Sequence, residues 1–288
     1  MTWRIVVISS VCKLDLKLNH IVIRGEQLRR VHLSEIAVLM IENTSVSLTA
    51  ALLCELSKRK IKVIFCDEKR NPYGELLPFY GSHDTTDKLR TQIGWDLETA
   101  GIVWAEIVKD KIRKQAGLLS EYRLNRQAEL LESYIDEVQP HDSTNREGHA
   151  AKVYFNALYG MDFSRRNENT ANACMNYGYA VLLSAFNREI TAAGYFTQLG
   201  IFHDNTFNPF NLGSDLMEPF RPLIDKCVLE MDPIELGTVE KMKLVEVLNW
   251  EVVIDSKNNY LINAIRIYCR SVFDAMNTKK PEKLRFYG

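Results

Sequence analysis

NPYGELLPFYGSHDTTDK, residues Asn71–Lys88, divides this chain of 288 residues into two parts of different character. The segment contains two prolines and two glycines, residues that commonly interrupt helices and strands. We therefore interpret it as a connector between two domains. The sequence predicts an N-terminal domain over residues 1–80 and a larger C-terminal domain over residues 81–288.

The first domain is predicted to be β-rich. Short runs of β-branched and apolar residues are separated by polar turns such as KLNH and ENTS, and these runs are WRIVVIS, HIVIR, IAVLMIE and KVIFCD. One helix interrupts them, in SLTAALLCELSKRK, where Ser47 or Thr49 is the candidate N-cap and the last turn is basic. We expect two packed layers, as in a small sandwich.

The second domain is predicted to be all-helical. Helical periodicity with many charged residues recurs over 86–137, 145–159, 170–194, 214–230, 238–253 and 259–277. The sequence therefore predicts an α+β protein, with a β-rich N-terminal domain followed by a large α-helical domain. We find neither an internal repeat nor a low-complexity tract.

The composition indicates a globular protein in a reducing compartment. Hydrophobic residues make up 46% and charged residues 25%, which is sufficient for a sizeable core, and the net charge of −1 does not indicate a polyanion partner. The six cysteines include no CxxC pair and mostly lie in apolar runs, so we expect buried, reduced thiols. Without a signal peptide or a membrane-length apolar run, we predict a cytoplasmic protein with no membrane association.

The stretch LGIFHDNTFNPFNLGSDLMEPFRPLID, Leu199–Asp225, holds the first candidate site residues. On a helix that begins near Ser214, Asp215 and Glu218 project from the same side. An ordinary explanation fits equally well, with Asp215 favouring the helix dipole and Glu218 in solvent. However, the prolines after Glu218 would rigidify the start of this helix, and a chain reversal would bring His203 to the acids.

A third acid lies in NREGHAAKVYFNALYG, Asn145–Gly160, where Asn145 is a plausible helix cap and Glu147 sits in the first turn. The small residues that follow would let another helix approach closely. A glutamate in a first turn is common and needs no functional explanation. Together with His203 and the acids above, however, it could complete an open divalent-metal site, for which oxygen ligands suit Mg²⁺ or Mn²⁺ and the imidazole favours Mn²⁺.

The order of these motifs, together with NACMNYGYAVLLSAFNREI, HLSEIAVLMIE and VIFCDEKRNPYGELLPFYGSHD, resembles the CRISPR-associated integrases of spacer acquisition, the first Cas protein family. The likeness covers nearly the whole chain and is closest to the type II-A branch. It implies a β-rich N-terminal domain, a helical catalytic domain and a homodimer. It also implies that Glu147, His203 and Glu218 are catalytic metal ligands for Mg²⁺ or Mn²⁺, although many relatives carry Asp at the position of Glu218.

The resemblance further implies a DNA integrase that joins the 3′-OH ends of a short duplex, the new spacer, to a repeat array. This transesterification needs charge neutralisation and in-line placement of the 3′-OH, but no covalent protein nucleophile. The implied partners are double-stranded DNA and the small second CRISPR adaptation protein. Asp215 is a candidate for supporting the ligands, and Arg221 could reach the phosphate or pair with a site acid.

Three basic runs could hold DNA through backbone phosphates, namely RGEQLRRVH (Arg24, Arg29, Arg30), SKRKIK (Lys58, Arg59, Lys60, Lys62) and KDKIRKQ (Lys109, Lys111, Arg113, Lys114). Each run could equally be an ordinary solvated face, and the sequence does not rank them.

Two other functions remain open at this stage. The protein could be a metal-dependent DNA endonuclease that does not integrate, or a non-catalytic DNA-binding scaffold in which the acids are structural. A phosphate-cradling nucleotide enzyme is disfavoured, because the chain has neither a GxxxxGK[ST] nor a GxGxxG motif.

Overall fold

A computed structural model describes residues 4–76 and 84–288. Within them the strands are β1 (Arg4–Ile8), β2 (Lys13–Lys17), β3 (His20–Arg24), β4 (Leu28–His32), β5 (Ile36–Ile41), β6 (Ser47–Leu48), β7 (Lys62–Cys66), β8 (Pro72–Glu75), β9 (Glu251–Ile254) and β10 (Lys257–Tyr260). The α-helices are α1 (Ala50–Lys58), α2 (Thr85–Ile93), α3 (Leu97–Glu121), α4 (Asn125–Ile135), α5 (Arg146–Tyr159), α6 (Thr170–Ala192), α7 (Asn211–Met217), α8 (Arg221–Met231), α9 (Thr238–Glu246) and α10 (Leu261–Thr278). The predicted domain boundary between residues 80 and 81 lies outside the described residues.

The N-terminal part consists of two four-stranded sheets that enclose an apolar core. One sheet has the order β1-β5-β7-β8, with the first three strands parallel and β8 antiparallel, and the other has the order β4-β3-β2-β6. Leu14 and Ile21 of the second sheet meet Leu39 and Val63 of the first in this core. The predicted two-layer arrangement is therefore confirmed.

Helix α1 closes this core as the sequence predicts. Thr49 is its N-cap, and the Thr49 hydroxyl accepts a hydrogen bond from the backbone N–H of Leu52. Leu52 and Leu56 lie one turn apart and are both fully buried in the core between the sheets. The choice between Ser47 and Thr49 is thus settled in favour of Thr49, since Ser47 belongs to β6.

Several strands were not predicted, and one of them lies inside the proposed connector. Pro72–Glu75 forms β8, an edge strand that pairs with β7 after a turn in which Asp67 accepts the backbone N–H groups of Lys69 and Asn71. Proline is tolerated at the first position of an edge strand, so the prolines and glycines of this segment did not exclude a strand here. The run KLDLK, which forms β2, was missed because only two of its five residues are apolar.

The sheet that contains β5 is buried on both faces. All six residues of β5 are buried, and Ala37, Val38 and Met40 belong to the core of the helical part, opposite to the face that meets the second sheet. The hydroxyl of Tyr177 on α6 lies 3.4 Å from the sulfur of Met40. The two parts therefore share this sheet as a common layer.

The C-terminal part is largely helical and is built around the long helices α3, α6 and α10, which bury one extensive core. The expectation of continuous helix over 238–253 is wrong at its end, because Glu251–Ile254 pairs with Lys257–Tyr260 in the β9–β10 hairpin. Asp255 and Ser256 both have positive φ in the turn, a conformation that ends a helix and permits a tight hairpin. No helix among the described residues is both long and apolar enough to cross a membrane.

Candidate active site

Glu147 is presented by the first turn of α5. Asn145 precedes this helix with a left-handed backbone but makes no capping hydrogen bond through its side chain. Asp142 supplies the cap instead, because its two carboxylate oxygens accept the backbone N–H groups of Arg146 and Glu147 at 2.8 and 3.0 Å. Asn145 therefore occupies the N-cap position, as the sequence predicts, but the capping hydrogen bonds come from Asp142 in the preceding turn.

Asp215 and Glu218 do not lie on one continuous helix. Helix α7 ends at Met217, a short 3₁₀ turn spans Glu218–Phe220, and Pro222 lies in the first turn of α8. Both acids are buried, with 0% and 4% of their surfaces exposed, so the interpretation of Glu218 as a solvated acid is wrong. The break between the helices sends the two carboxylates to different partners.

The carboxylate of Asp215 organises the loop that carries His203. It accepts the backbone N–H groups of Ile201, Phe202 and His203 at 2.6, 3.0 and 3.1 Å. Gly200 permits this tight loop, since a Cβ atom there would lie 2.3 Å from the carbonyl oxygen of His203. Asp215 thus holds the loop by direct hydrogen bonds, in agreement with the predicted supporting role.

His203 is oriented by the same carboxylate. Its ring Nδ1 donates a hydrogen bond to Asp215 at 2.5 Å, which leaves Nε2 with the free lone pair of the neutral ring. This hydrogen bond, assisted by the negative charges of Asp215, Glu218 and Glu147, raises the pKa of His203 against the opposing effect of burial. The charges of both glutamates therefore act on the imidazole, which presents Nε2 as its available nitrogen.

Aromatic packing against α3 fixes the other side of this loop. Trp104 is fully buried and stacks on Phe202 with ring centroids 4.5 Å apart and an interplanar angle of 4°. The ring of His203 meets Trp104 edge-on at 5.7 Å. The His203 loop is therefore held by hydrogen bonds on one side and by ring contacts on the other.

Lys111, two helical turns after Trp104 on α3, joins the two glutamates. Its ammonium nitrogen lies 2.5 Å from Oε1 of Glu147 and 2.5 Å from Oε2 of Glu218. Arg221 donates from Nε to the other oxygen of Glu218 at 2.8 Å. Burial by itself would raise the pKa of Glu218, but the positive charges of Arg221 and Lys111 lower it to about 2.

The sequence did not single out Lys111 from the basic run that contains it. In the structure Lys109 pairs with Glu106, Lys114 and Arg113 pair with Asp110, and Lys111 is buried. Glu106 and Asp110 lie three or four residues before these three cations, a spacing from which their ion pairs could have been predicted. The run is therefore mostly neutralised within the protein and is a weak candidate for holding DNA.

A pocket of about 170 Å³ opens beside these charges, and it is lined by Lys111, Gln115, Glu147, Ala151, Phe155, Arg165, Tyr179, Glu218, Arg221 and Asp225. The guanidinium of Arg221 lies over the ring of Tyr179, 4.5 Å from its centroid. Buried Asp225 accepts hydrogen bonds from the hydroxyls of Tyr154 and Tyr179, and burial raises the pKa of Asp225 to about 6.

The donor set of this pocket is suited to a hard divalent cation. Glu147 and Glu218 already share one cation, the ammonium of Lys111, so their oxygens can reach a common point. As arranged, no three His, Cys, Asp or Glu side chains within residues 4–76 and 84–288 form a ready metal-ligand cluster. The structure therefore brings the two glutamates together and pairs His203 with Asp215, while a shared ligand role for all three stays a prediction.

Comparison with known proteins identifies a family that this chain matches. The family model for CRISPR associated protein Cas1 matches residues 5–241. The CRISPR-associated endonuclease Cas1 of Neisseria meningitidis serogroup C (strain 8013) is 34% identical over 292 residues, covering 99% of this chain and 96% of the relative. A Cas1 endonuclease of Francisella tularensis subsp. novicida (strain U112) is 26% identical over 220 residues, which is 69% of each chain.

Solved structures share the fold at lower sequence identity. A casposase bound to its integration product superimposes with a TM-score of 0.78 at 19% identity, over 97% of this chain and 92% of the casposase. A Cas1 protein from Thermotoga maritima gives 0.75 at 16% identity, over 95% and 97% of the two chains. A chain of a Cas6-RT-Cas1–Cas2 complex superimposes with a TM-score of 0.75 at 16% identity. The match covers 98% of this protein and 36% of that larger chain.

Proposed function

The chain belongs to the CRISPR-associated Cas1 family, and from that membership we propose that it is a metal-dependent DNA integrase of CRISPR adaptation. In this proposal it joins the 3′-OH ends of short DNA duplexes to the repeat array by transesterification. The relatives named above are Cas1 endonucleases, and a casposase bound to an integration product shares the fold. The type II-A assignment is part of the proposal.

The observation that carries the proposal is the convergence of Glu147 and Glu218 on one cationic atom in the pocket, and the negative charges of both glutamates also raise the pKa of His203. We assign Glu147, Glu218 and Nε2 of His203 as ligands of Mg²⁺ or Mn²⁺. Such an ion, when bound, would act as a Lewis acid that neutralises charge on the attacked phosphate. Binding of the metal ion between the two glutamates requires the Lys111 ammonium to move aside.

The residues around the proposed metal position orient His203 and neutralise the charge of the phosphate. Asp215 keeps the proton of His203 on Nδ1, so Nε2 is left as an acceptor. Arg221 is tied to Glu218 and packs on Tyr179, which places its guanidinium beside the pocket, where it can receive a phosphate oxygen. Lys111, once released from the glutamates, is a second cation for the same phosphate.

The bond changes balance without a protein nucleophile. The incoming 3′-oxygen forms a new bond to phosphorus and the 3′-oxygen of the target strand leaves, so one phosphodiester replaces another. The hydroxyl proton is lost from the attacking end and a proton is gained by the departing oxygen. Buried cysteines such as Cys174 and Cys269, whose pKa values are raised by burial, are poor nucleophiles and have no role in this scheme.

The working assembly in this proposal is a homodimer to which the small second CRISPR adaptation protein is added as a bridge, and it acts in the cytoplasm on double-stranded DNA. A solved complex of a family relative contains Cas2, which supports a partner of that kind.

A strand-transfer assay tests the proposal. A labelled duplex with free 3′-OH ends is incubated with a repeat-containing plasmid, the protein, its small partner and Mn²⁺, and the matched control carries 3′-dideoxy ends. We expect joined products from the first duplex only. Release of nucleotides without joined products would favour the endonuclease alternative, and absence of Mn²⁺ binding in a calorimetric titration would favour the scaffold.

A further inference from the structure

A second pocket, of about 290 Å³, lies where the ends of α1 and α6 meet the middle of α10. We name it the arginine pocket, and it is lined by Arg59, Lys60, Arg188, Glu189, Ala192, Ala193, Arg266, Cys269 and Arg270. Five of these residues are cationic and one, Glu189, is acidic. Glu189 already pairs with Arg188 at 2.5 Å, so the pocket carries a large excess of positive charge.

Three of the cations have structural partners that set their positions. Lys60 donates from Nζ to the carbonyl oxygen of Ala192 at 2.9 Å, and Arg188 donates from Nε to the carbonyl oxygen of Lys60 at 2.9 Å. Arg59 is bound to Glu55 at 2.7 Å and to Asn19 at 2.8 Å. These bonds tie the sheet-rich part to the helical part and form a rigid wall of the pocket.

The remaining two cations have no structural explanation. Arg266 and Arg270 are exposed, lie one turn apart on α10, and make no hydrogen bond or ion pair to any other residue in the described ranges. Like charges at this spacing destabilise a helix. Arg266, Arg270 and Lys60 therefore have no acidic partner among the described residues, and an anion bound between them would offset the repulsion of their charges.

The pocket is remote from the candidate active site. Arg188 follows Tyr179 by nine residues on α6, which corresponds to about 13 Å along the axis and half a turn around it. A ligand in the arginine pocket therefore lies on the opposite side of α6 from Arg221 and Tyr179, and it is not the reacting phosphodiester.

We propose that the arginine pocket binds a backbone phosphate of the DNA at a distance from the point of chemistry. Guanidinium groups recognise phosphate oxygens through paired hydrogen bonds, and backbone contacts are independent of sequence, as captured DNA of varied sequence requires. The volume accepts a phosphate but not an acidic helix, which is about 10 Å across. The inference rests on the proposed function and selects Arg59 and Lys60 from the basic run that contains them.

Fluorescence anisotropy with a labelled 30-base-pair duplex tests the proposal across a salt series. The variant is Arg266→Gln/Arg270→Gln, and the control, Lys243→Gln/Lys257→Gln, removes the same charge from exposed positions outside the pocket. At about 0.1 M salt the variant should bind about tenfold more weakly or worse, and the slope of log affinity against log salt should fall by about 0.9, because the pocket contacts one phosphate and each such contact contributes about that amount. Arg266→Lys/Arg270→Lys should recover part of the affinity.

An unchanged slope in the glutamine variant, or an equal loss in the control, overturns the proposal. Inorganic phosphate that protects the wild-type protein against heat, combined with unchanged DNA affinity of the variant, would instead assign a free phosphate ligand and also overturn it. The proposed function fails separately, in the strand-transfer assay. If the wild-type protein never joins DNA ends but the pocket variant still loses DNA affinity, the arginine-pocket proposal is supported and the integrase proposal is contradicted.

Discussion

The ring Nδ1 of His203 donates to Oδ1 of Asp215 at 2.5 Å, and the same carboxylate holds three successive backbone N–H groups of the His203 loop. Asp215 is therefore a positioning residue, since each of its described contacts leads to the loop rather than into the pocket. Glu218, three residues later, contacts Lys111 and Arg221 instead.

This division predicts different outcomes for two amide substitutions. Glu218→Gln should abolish strand transfer, because the amide loses the charge that holds a hard cation. Asp215→Asn should retain some activity and need more Mn²⁺, because one amide oxygen accepts only part of the loop's hydrogen bonds, and loss of such support typically costs 10- to 100-fold. Integration of a labelled duplex over a Mn²⁺ series measures both.

DNA binding and stability are followed in parallel for these variants. Glu218→Gln also leaves Lys111 and Arg221 short of negative charge, so a loss of unfolding free energy of up to about 3 kcal/mol is expected. Normal integration by Glu218→Gln together with an inactive Asp215→Asn would show that the ligand is Asp215.

Lys111→Met should make stability depend more strongly on metal. Without the ammonium, Glu147 and Glu218 repel each other, and the variant should unfold more easily than wild type in EDTA. Mn²⁺ should restore stability, by about 2.7 kcal/mol at a hundredfold excess over its dissociation constant. Chemical denaturation with EDTA or Mn²⁺ measures this, with Lys109→Met as the control. An equal effect of Mn²⁺ on the variant and on wild type would contradict a shared cation position.

Asp225 should make the protein less stable as the pH rises from about 4 to 6. Burial raises its pKa to about 6 in the folded state, above the value of about 3.9 in an unfolded chain, so the folded state holds the proton more tightly. The stabilisation is complete below the unfolded pKa and is lost as the pH passes the folded pKa, a change of about 3 kcal/mol. Urea unfolding of Asp225→Asn should show a flatter profile over this range. Asp162→Asn, an exposed control, should follow wild type.

Sedimentation velocity at micromolar concentration should show a dimer that forms mainly through the N-terminal part. Among the described residues β4 is the edge strand of its sheet, and Leu28 on it is exposed. Leu28→Glu should weaken the dimer, whereas Ile234→Glu, which alters an exposed residue of the helical part, should not. A wild-type monomer at this concentration would contradict the prediction.

The sequence alone determined the class of fold and the residues worth examining. Runs of β-branched residues and helical periodicity report on neighbours within a few positions, so the β-rich start and the helical remainder were predictable. KLDLK alternates strictly between polar and apolar residues, but with only two apolar residues the pattern was too short to predict β2. Asp215 and Glu218 could be selected because acids stand out in an apolar run, whereas the ligand set of Glu147, His203 and Glu218 was implied by the resemblance to a known family.

Tertiary packing alone decided what those residues contact. Lys111 is 36 residues from Glu147 and 107 from Glu218, and it reaches both only because α5 and the α7–α8 break pack against α3. The arginine pocket likewise joins side chains from α6, α10 and the turn that follows α1. Contacts of this kind depend on how helices pack over long separations in sequence, and local residue patterns do not encode them.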